Sequence, residues 1–197
     1  MTTVYLIRHG QSEGNERQVY CGWTDLPLTE TGEAQARLLA ERKPEPPVFH
    51  LVASDLSRAR ETARLISESW QVPVTVEKGF REMHLGAFEN RTWQDIAVKY
   101  PALMKPWNED WFYGPTPEGE SLENLYHRVL PLYREYLRIW KGSAWGLVAH
   151  SGVIQAILAM ELTGTHETHW RFAIEHARLI RLDYSEEGYA VLKGFNN

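Results

Sequence analysis

Val4-Tyr5-Leu6-Ile7 is an unbroken apolar run that stops abruptly at Arg8-His9-Gly10. Four strand-forming side chains in succession describe a strand covered on both faces, because a strand with one wet face would alternate with polar residues. Such strands lie in sheets sandwiched between helices, where ligands gather beyond the carboxyl ends. Arg8 and His9 stand at that end.

Working outward, the same alternation recurs. Thr29-Glu30-Thr31-Gly32-Glu33 offers a cap and an acidic first turn, Ala34, Ala36, Leu38, Leu39 and Ala40 follow near helical spacing, and Pro44, Pro46 and Pro47 stop the helix. Phe49 to Ala53 reads as a second buried strand, with Ser54-Asp55 capping a helix that carries Ala59, Ala63, Leu65 and Ile66. Val72 to Val76 contains Pro73 and is expected at a sheet edge. Glu77 to Asn90 reads as loop, Thr92 to Tyr100 as a short helix, and Pro101 to Gly119 as an irregular Pro/Trp-rich connection. Ser121 opens a long amphipathic helix that ends at Lys141-Gly142 and is expected to kink at Pro131. Trp145 to Ala149 is another strand, Val153 to Leu162 a helix, and Leu179 to Tyr184 with Tyr189 to Leu192 a closing hairpin. The expected fold is an α/β three-layer sandwich: a mostly parallel central sheet, antiparallel edge strands, and helices on both faces. One domain over residues 1–197 is expected, with an irregular excursion around 88–120 facing the substrate.

Composition narrows the function. Among 197 residues, 21 Lys and Arg face 26 Asp and Glu, for a net charge of −5, so no global positive field draws nucleic acid or an anionic membrane. Any anion site is local. The one cysteine, Cys21, can form no intrachain disulfide and no thiolate zinc cluster. With neither a leader pattern nor a run approaching ~20 apolar residues, a soluble, unprocessed, cytoplasmic protein is expected.

The residues just beyond the strands are Arg8 and His9, Ser54 to Arg58, Glu82 and His84, and His150. A transferring phosphoryl group needs fixed cations for its oxygens, an in-line nucleophile and an acid for the leaving oxygen. The planar forks of Arg8 and Arg58 suit the first need, and Arg58 lies in a helix's first turns, where N–H groups favour anions. His9 and His150 can divide the roles of neutral nucleophile and phosphate-bound cation. Taken singly each has a plainer explanation: Arg8-His9 can end a strand in a polar loop, His150 can be a satisfied buried side chain, and Arg58 can share a solvated face with Ser57, Arg60 and Glu61. Only the constellation carries weight.

Rival chemistries fail on spacing. His166-Glu167-Thr168-His169 separates its histidines by three positions, one short of the metalloprotease helix motif. Ser151 lacks the flanking glycines of a nucleophile elbow, with Ala149 and Val153 in their places. No phosphate-cradling glycine loop or dinucleotide fingerprint occurs. Trp107, Trp111, Phe112 and Tyr113 can stack a substrate ring, but packing of the connection onto its own domain is the favoured reading.

Leu6-Ile7-Arg8-His9-Gly10-Gln11-Ser12 with Asn15 resembles the signature of the histidine phosphatase superfamily, the phosphoglycerate-mutase-like fold. Further blocks follow in that family's order: Gly22 to Thr29 with Gly32, Ser54 to Ala59 with Thr62-Ala63, Arg81-Glu82 with Gly86, Gly119-Glu120-Ser121, and Val148 to Gly152. The resemblance spans nearly the whole chain. It implies phosphoryl transfer without metal or cofactor, with His9 forming a phosphohistidine and Arg8, Arg58 and His150 enclosing the phosphate. Asn15 would add a polar contact, and Cys21 and Gly22 fall among the expected phosphate and substrate contacts. Glu82 matches the proton donor, acting as acid and then base; a salt bridge to Arg81 is its plainer alternative.

Departures bear on substrate rather than chemistry. Cys21 stands where many relatives carry a hydroxyl residue, and Gly14 replaces a bulkier residue. Ser151-Gly152-Val153-Ile154 follows His150 where related mutases carry Asn-Ser-Leu-Arg, which with the short chain favours water over phosphoglycerate as acceptor. The Gly22-Trp23-Thr24-Asp25-Leu26-Pro27-Leu28-Thr29 block is similar to that of α-ribazole phosphatases, implying α-ribazole 5′-phosphate as substrate. A broad-specificity phosphatase, a phosphoglycerate mutase and a non-catalytic phosphate-binding module are the alternatives. The expected partner is a small phosphorylated metabolite, with a homodimer as the candidate assembly and no nucleic acid or membrane.

Overall fold

The opening apolar run becomes β1 (Thr2–Arg8), an inner strand of the computed structural model, which describes residues 1–103 and 109–197. Its neighbours are β4 (Ala144–Ala149), parallel with Arg8 opposite Ala149, and β5 (Leu179–Tyr184), antiparallel. β2 (Leu51–Ala53) lies parallel between β4 and β3 (Val74–Val76), and β6 (Ala190–Gly194) closes the other edge antiparallel to β5. The six-stranded order is therefore β3-β2-β4-β1-β5-β6, with the Pro73 segment at an edge as expected.

Alternation along β1 builds two cores. Val4 and Leu6 join one cluster with α5 (Leu122–Ile139) and α6 (Ser151–Thr163). Tyr5 and Ile7 join the other, with Leu39 and Ala40 of α2 (Glu30–Ala40) and Ala59, Ala63 and Ile66 of α3 (Ser57–Trp70). Each fully buried aliphatic side chain contributes about 2 kcal/mol of transfer free energy, so a polar residue at any of these positions would open one layer. Side-chain caps mark the helix starts at Thr29 for α2, Ser121 in a capping box with Asn124 for α5, and Thr92 for α4 (Trp93–Lys99), among others. Pro131 lies inside α5 without ending it.

Several expectations need correction. The residue before α3 is Leu56, which makes no side-chain cap. The cap comes from Asp25, whose Oδ1 accepts from both the Ser57 N–H and hydroxyl at 2.7 Å. Ser54 and Asp55 are used elsewhere, as described below. β2 begins at Leu51, and Phe49 is 43% exposed; its ring meets Trp140 edge-on at 5.3 Å. The loop after β3 contains two single 3₁₀ turns, Lys78–Phe80 and Gly86–Phe88. Among the described residues no helix is long and apolar enough to cross a membrane.

Candidate active site

Parallel strands β1 and β4 end side by side, so their next residues, His9 and His150, come together. The two rings lie 5.1 Å apart, at 62°. The His9 backbone N–H donates to the Ala149 carbonyl at 3.0 Å and the next N–H, of Gly10, to Thr62 Oγ1 at 3.1 Å, fixing the turn that leaves β1. The His9 Nδ1 lies 2.7 Å from the Gly10 carbonyl oxygen. A carbonyl only accepts, so Nδ1 carries the proton and Nε2 presents a lone pair. Burial, followed by the charges of Arg58 and Arg8, pushes His9 well below its usual 6.5 and keeps it neutral.

His150 Nε2 meets Ser54 Oγ at 2.9 Å, while its buried Nδ1 has no protein partner. Burial first, then Arg58, pushes this ring down as well. The protein alone therefore favours the neutral form of both histidines, and a phosphate dianion beside them would oppose that for His150.

Arg58 is 1% exposed and donates to the carbonyls of Thr24 and Gly22 at 3.0 and 2.7 Å. Arg8 donates through Nη1 to the Ile174 carbonyl at 2.7 Å, and its buried Nε has no partner. Neither guanidinium forms an ion pair among the described residues. Burial weakens both charges, and Glu82 is the leading influence that sustains them.

Glu82 is held at four points. Its Oε1 accepts from the Met83 N–H and its Oε2 from the Gly152 N–H, both at 2.9 Å. Its backbone carbonyl accepts from Trp23 Nε1 and Arg128 Nη2, both at 2.8 Å. A Cβ on residue 152 would sit 2.4 Å from Oε1, so glycine there leaves the Glu82 carboxylate in place. The expected alternative partner, Arg81, instead forms a two-pronged pair with Asp55, at 2.7 Å for each bond.

A 580 Å³ cavity opens beside this cluster. Arg8, Asn15, Cys21 and Glu82 line it, whereas His9, Arg58 and His150 lie buried outside its lining. Asn15 spends Oδ1 on the Ser12 N–H and hydroxyl, at 3.0 and 2.9 Å, capping the helical turn α1 (Glu13–Glu16). Gly22 is tied into the site by contacts within the protein. Its N–H donates to Glu89 Oε2 at 3.0 Å and its carbonyl anchors Arg58, so it shapes the site from outside the cavity lining. Gly14 and Cys21 prove to be partners: a Cβ on residue 14 would lie 2.4 Å from the Cys21 sulfur. His84 packs against Trp23 at 4.8 Å, away from the lining.

The aromatic excursion divides. Phe112 is buried against Tyr126 and His166, Tyr113 is exposed, and Trp111 lines the cavity; Trp107 lies outside the described residues. Sequence reasoning missed Arg128, which joins the carbonyls of residues 79, 81 and 82 to Glu120. It also missed Glu89, which collects the N–H groups of Gly22, Trp23, Thr24 and Leu85. Their one signal was a charge beside an apolar stripe or inside a loop, which most surface residues share. His176, 5.8 Å from the His9 ring and pushed down to about 4 chiefly by burial, carried none.

Residues 4–197 match the family described as the histidine phosphatase superfamily (branch 1), and the chain belongs to that superfamily. Within it, the chain is 30% identical over 194 residues to the adenosylcobalamin/alpha-ribazole phosphatase of Salmonella typhimurium, covering 98% of this chain and 96% of that one. It is 33% identical over 184 residues to the probable phosphoglycerate mutase GpmB of Photorhabdus laumondii subsp. laumondii, covering 93% and 86%. The crystal structure of the alpha-ribazole phosphatase from Shigella flexneri superposes with a TM-score of 0.92 at 26% identity, over 99% of this chain and 96% of that one. The expected family and mixed α/β fold hold, and superfamily and relatives together support a phosphatase enzyme.

Proposed function

We propose that this chain is a phosphomonoesterase that passes the phosphoryl group of a small metabolite first to His9 and then to water. The observation that carries the reading is the 2.7 Å contact from His9 Nδ1 to the Gly10 carbonyl, which leaves Nε2 as the nucleophilic atom. In the first step the Nε2 lone pair bonds to phosphorus and the ester P–O bond breaks, with Glu82 giving its proton to the departing alkoxide. In the second, the Glu82 carboxylate takes a proton from water, the oxygen bonds to phosphorus, and the N–P bond breaks to release phosphate. Arg8, Arg58 and His150 supply the donors that oppose charge on the phosphoryl oxygens, so the steps are written without a metal or cofactor.

Water is favoured over a second phosphoglycerate as acceptor, because Arg8 is the only Lys or Arg among the described residues lining the cavity. The substrate proposed from the relatives is α-ribazole 5′-phosphate, with broad specificity as the second reading. Incubation with a labelled phosphomonoester and a quench in base is expected to trap acid-labile label that is absent in His9→Ala. Undiminished phosphate release by that variant would remove the nucleophile. Equal kcat/KM for α-ribazole 5′-phosphate, 3-phosphoglycerate, phosphoserine and a nitrophenyl ester would reject the dedicated substrate.

A further inference from the structure

The far wall of the cavity centres on His169, a lining residue with 0% exposure. Its Nδ1 lies 3.0 Å from the Tyr126 hydroxyl, and its buried Nε2 has no hydrogen-bond partner. Leaving such a nitrogen unpaired costs about 1–3 kcal/mol, so a buried polar atom of this kind asks for a use. With Nδ1 facing Tyr126, Nε2 is the polar atom that His169 has to offer an occupant. Trp170 meets the His169 ring edge-on at 4.5 Å and Trp111 lies 6.3 Å from it, and both indoles line the same cavity.

Among the described residues, this wall carries no charged side chain. Burial, with a smaller contribution from His166, pushes His169 down to about 3, so it stays neutral at physiological pH. Arg8, the one guanidinium among the described lining residues, belongs to the catalytic cluster. A carboxylate at the far wall would lose water and gain no cation from the described lining residues there. An uncharged ring would gain aromatic surface and, through Nε2, a hydrogen bond.

We propose that His169 is a specificity-determining residue whose Nε2 hydrogen-bonds an uncharged polar atom on a ring-bearing leaving alcohol, while Trp111 and Trp170 cover the ring's apolar surface. Tyr126 positions the imidazole by engaging Nδ1. The proposal rests on the phosphomonoesterase reading for where the phosphate sits, and adds which alcohols the enzyme accepts.

The full-length protein is assayed with a nucleoside 5′-monophosphate, with 1-naphthyl phosphate, whose ring carries no further polar atom, and with 3-phosphoglycerate. The wild type is expected to favour the nucleoside ester over each of the others by about tenfold in kcat/KM. His169→Phe keeps an aromatic ring and removes Nε2; it is expected to lower the nucleoside-to-naphthyl ratio about tenfold, through KM rather than kcat, and His169→Gln to restore part of it. Trp170 is 62% exposed, so Trp170→Ala should fold and should lower the preference of both ring esters over 3-phosphoglycerate about threefold.

A folded His169→Phe whose ratio stays within about twofold of wild type overturns the proposal, as does 3-phosphoglycerate proving the best wild-type substrate. If His169→Phe shows no thermal transition, Trp170→Ala decides, and an unchanged ring preference overturns it. Calorimetry with an unreactive nucleoside phosphonate separates the two readings. Ring-dependent binding by a wild type that hydrolyses no ester sinks the phosphomonoesterase reading and leaves the wall, whereas turnover without ring preference sinks the wall alone.

Discussion

The two ends of the cavity are built from different material. At the catalytic end, His9 and His150 follow adjacent parallel strands and Arg58 sits in the first turn of a helix, so backbone hydrogen bonds position them before any side chain contributes. At the far end, Trp111 stands in an irregular connection, and His169 and Trp170 in the 3₁₀ segment His166–Arg171. Strand termini cannot shift without unzipping a ladder, whereas a 3₁₀ segment and a loop can be rebuilt by a few substitutions. On the proposed reading, chemistry is attached to the rigid part and selection to the replaceable part.

That contrast is open to attack, beginning at the rigid end. His9→Ala is expected to reduce kcat/KM on the order of 10⁴-fold or more; a loss under about tenfold in steady-state assays would break the comparison at its root. Glu82→Gln keeps the shape and removes the proton relay, for an expected loss of about 10²–10⁴-fold in kcat. Gly152→Ala adds a methyl group at 2.4 Å from Glu82 Oε1 and must displace that carboxylate. Misplacing a catalytic group by about 1 Å costs roughly 10²-fold, so this variant should lose kcat with little change in melting temperature. Equal activity would mean that the carboxylate position is not critical.

Acid should separate wild type from a far-wall variant. His9, His150 and His169 are all pushed below 6.5, His169 to about 3. Below pH 6.5 the unfolded chain takes up protons that the folded chain refuses, so stability is full above that value and drains as pH falls toward the lowered values. Melting temperatures measured from pH 7.5 to pH 4 should fall, and should fall less in His169→Phe; parallel curves would contradict the burial of that ring. The smallest effect concerns Gly14 and Cys21. Gly14→Ala meets the sulfur at 2.4 Å and should cost about 1–3 kcal/mol of unfolding free energy. Cys21→Ala should return most of it, and strict additivity in the double-mutant cycle would deny the contact.

Much of the rigid end was legible because it is written in consecutive residues. The run Val4 to Ile7 announces β1, and Arg8 and His9 must follow wherever it ends. The same logic reached His150 after Trp145 to Ala149. Arg128 and Glu89 escaped because their work consists of holding loop backbone far away in the chain, and a charged residue advertises no such destination. Asp25 escaped for a related reason: it caps a helix 32 positions later, while the local candidates Ser54 and Asp55 bind His150 and Arg81. Nor does local sequence show that the N–H of Gly22 is engaged by a glutamate 67 positions away. Trp111 and Phe112 are adjacent and similar in composition, and only their packing shows that one turns to the cavity and the other to the core.

Arg58 spends its forks on the carbonyls of the segment 21–24, and neither it nor Arg8 is paired with a carboxylate among the described residues. Two guanidinium charges, Arg58 buried and Arg8 opening on the cavity, attract whatever dianion arrives, and orthophosphate satisfies them as well as an ester does. Turnover should therefore slow as the reaction advances, with inorganic phosphate acting as a competitive product inhibitor.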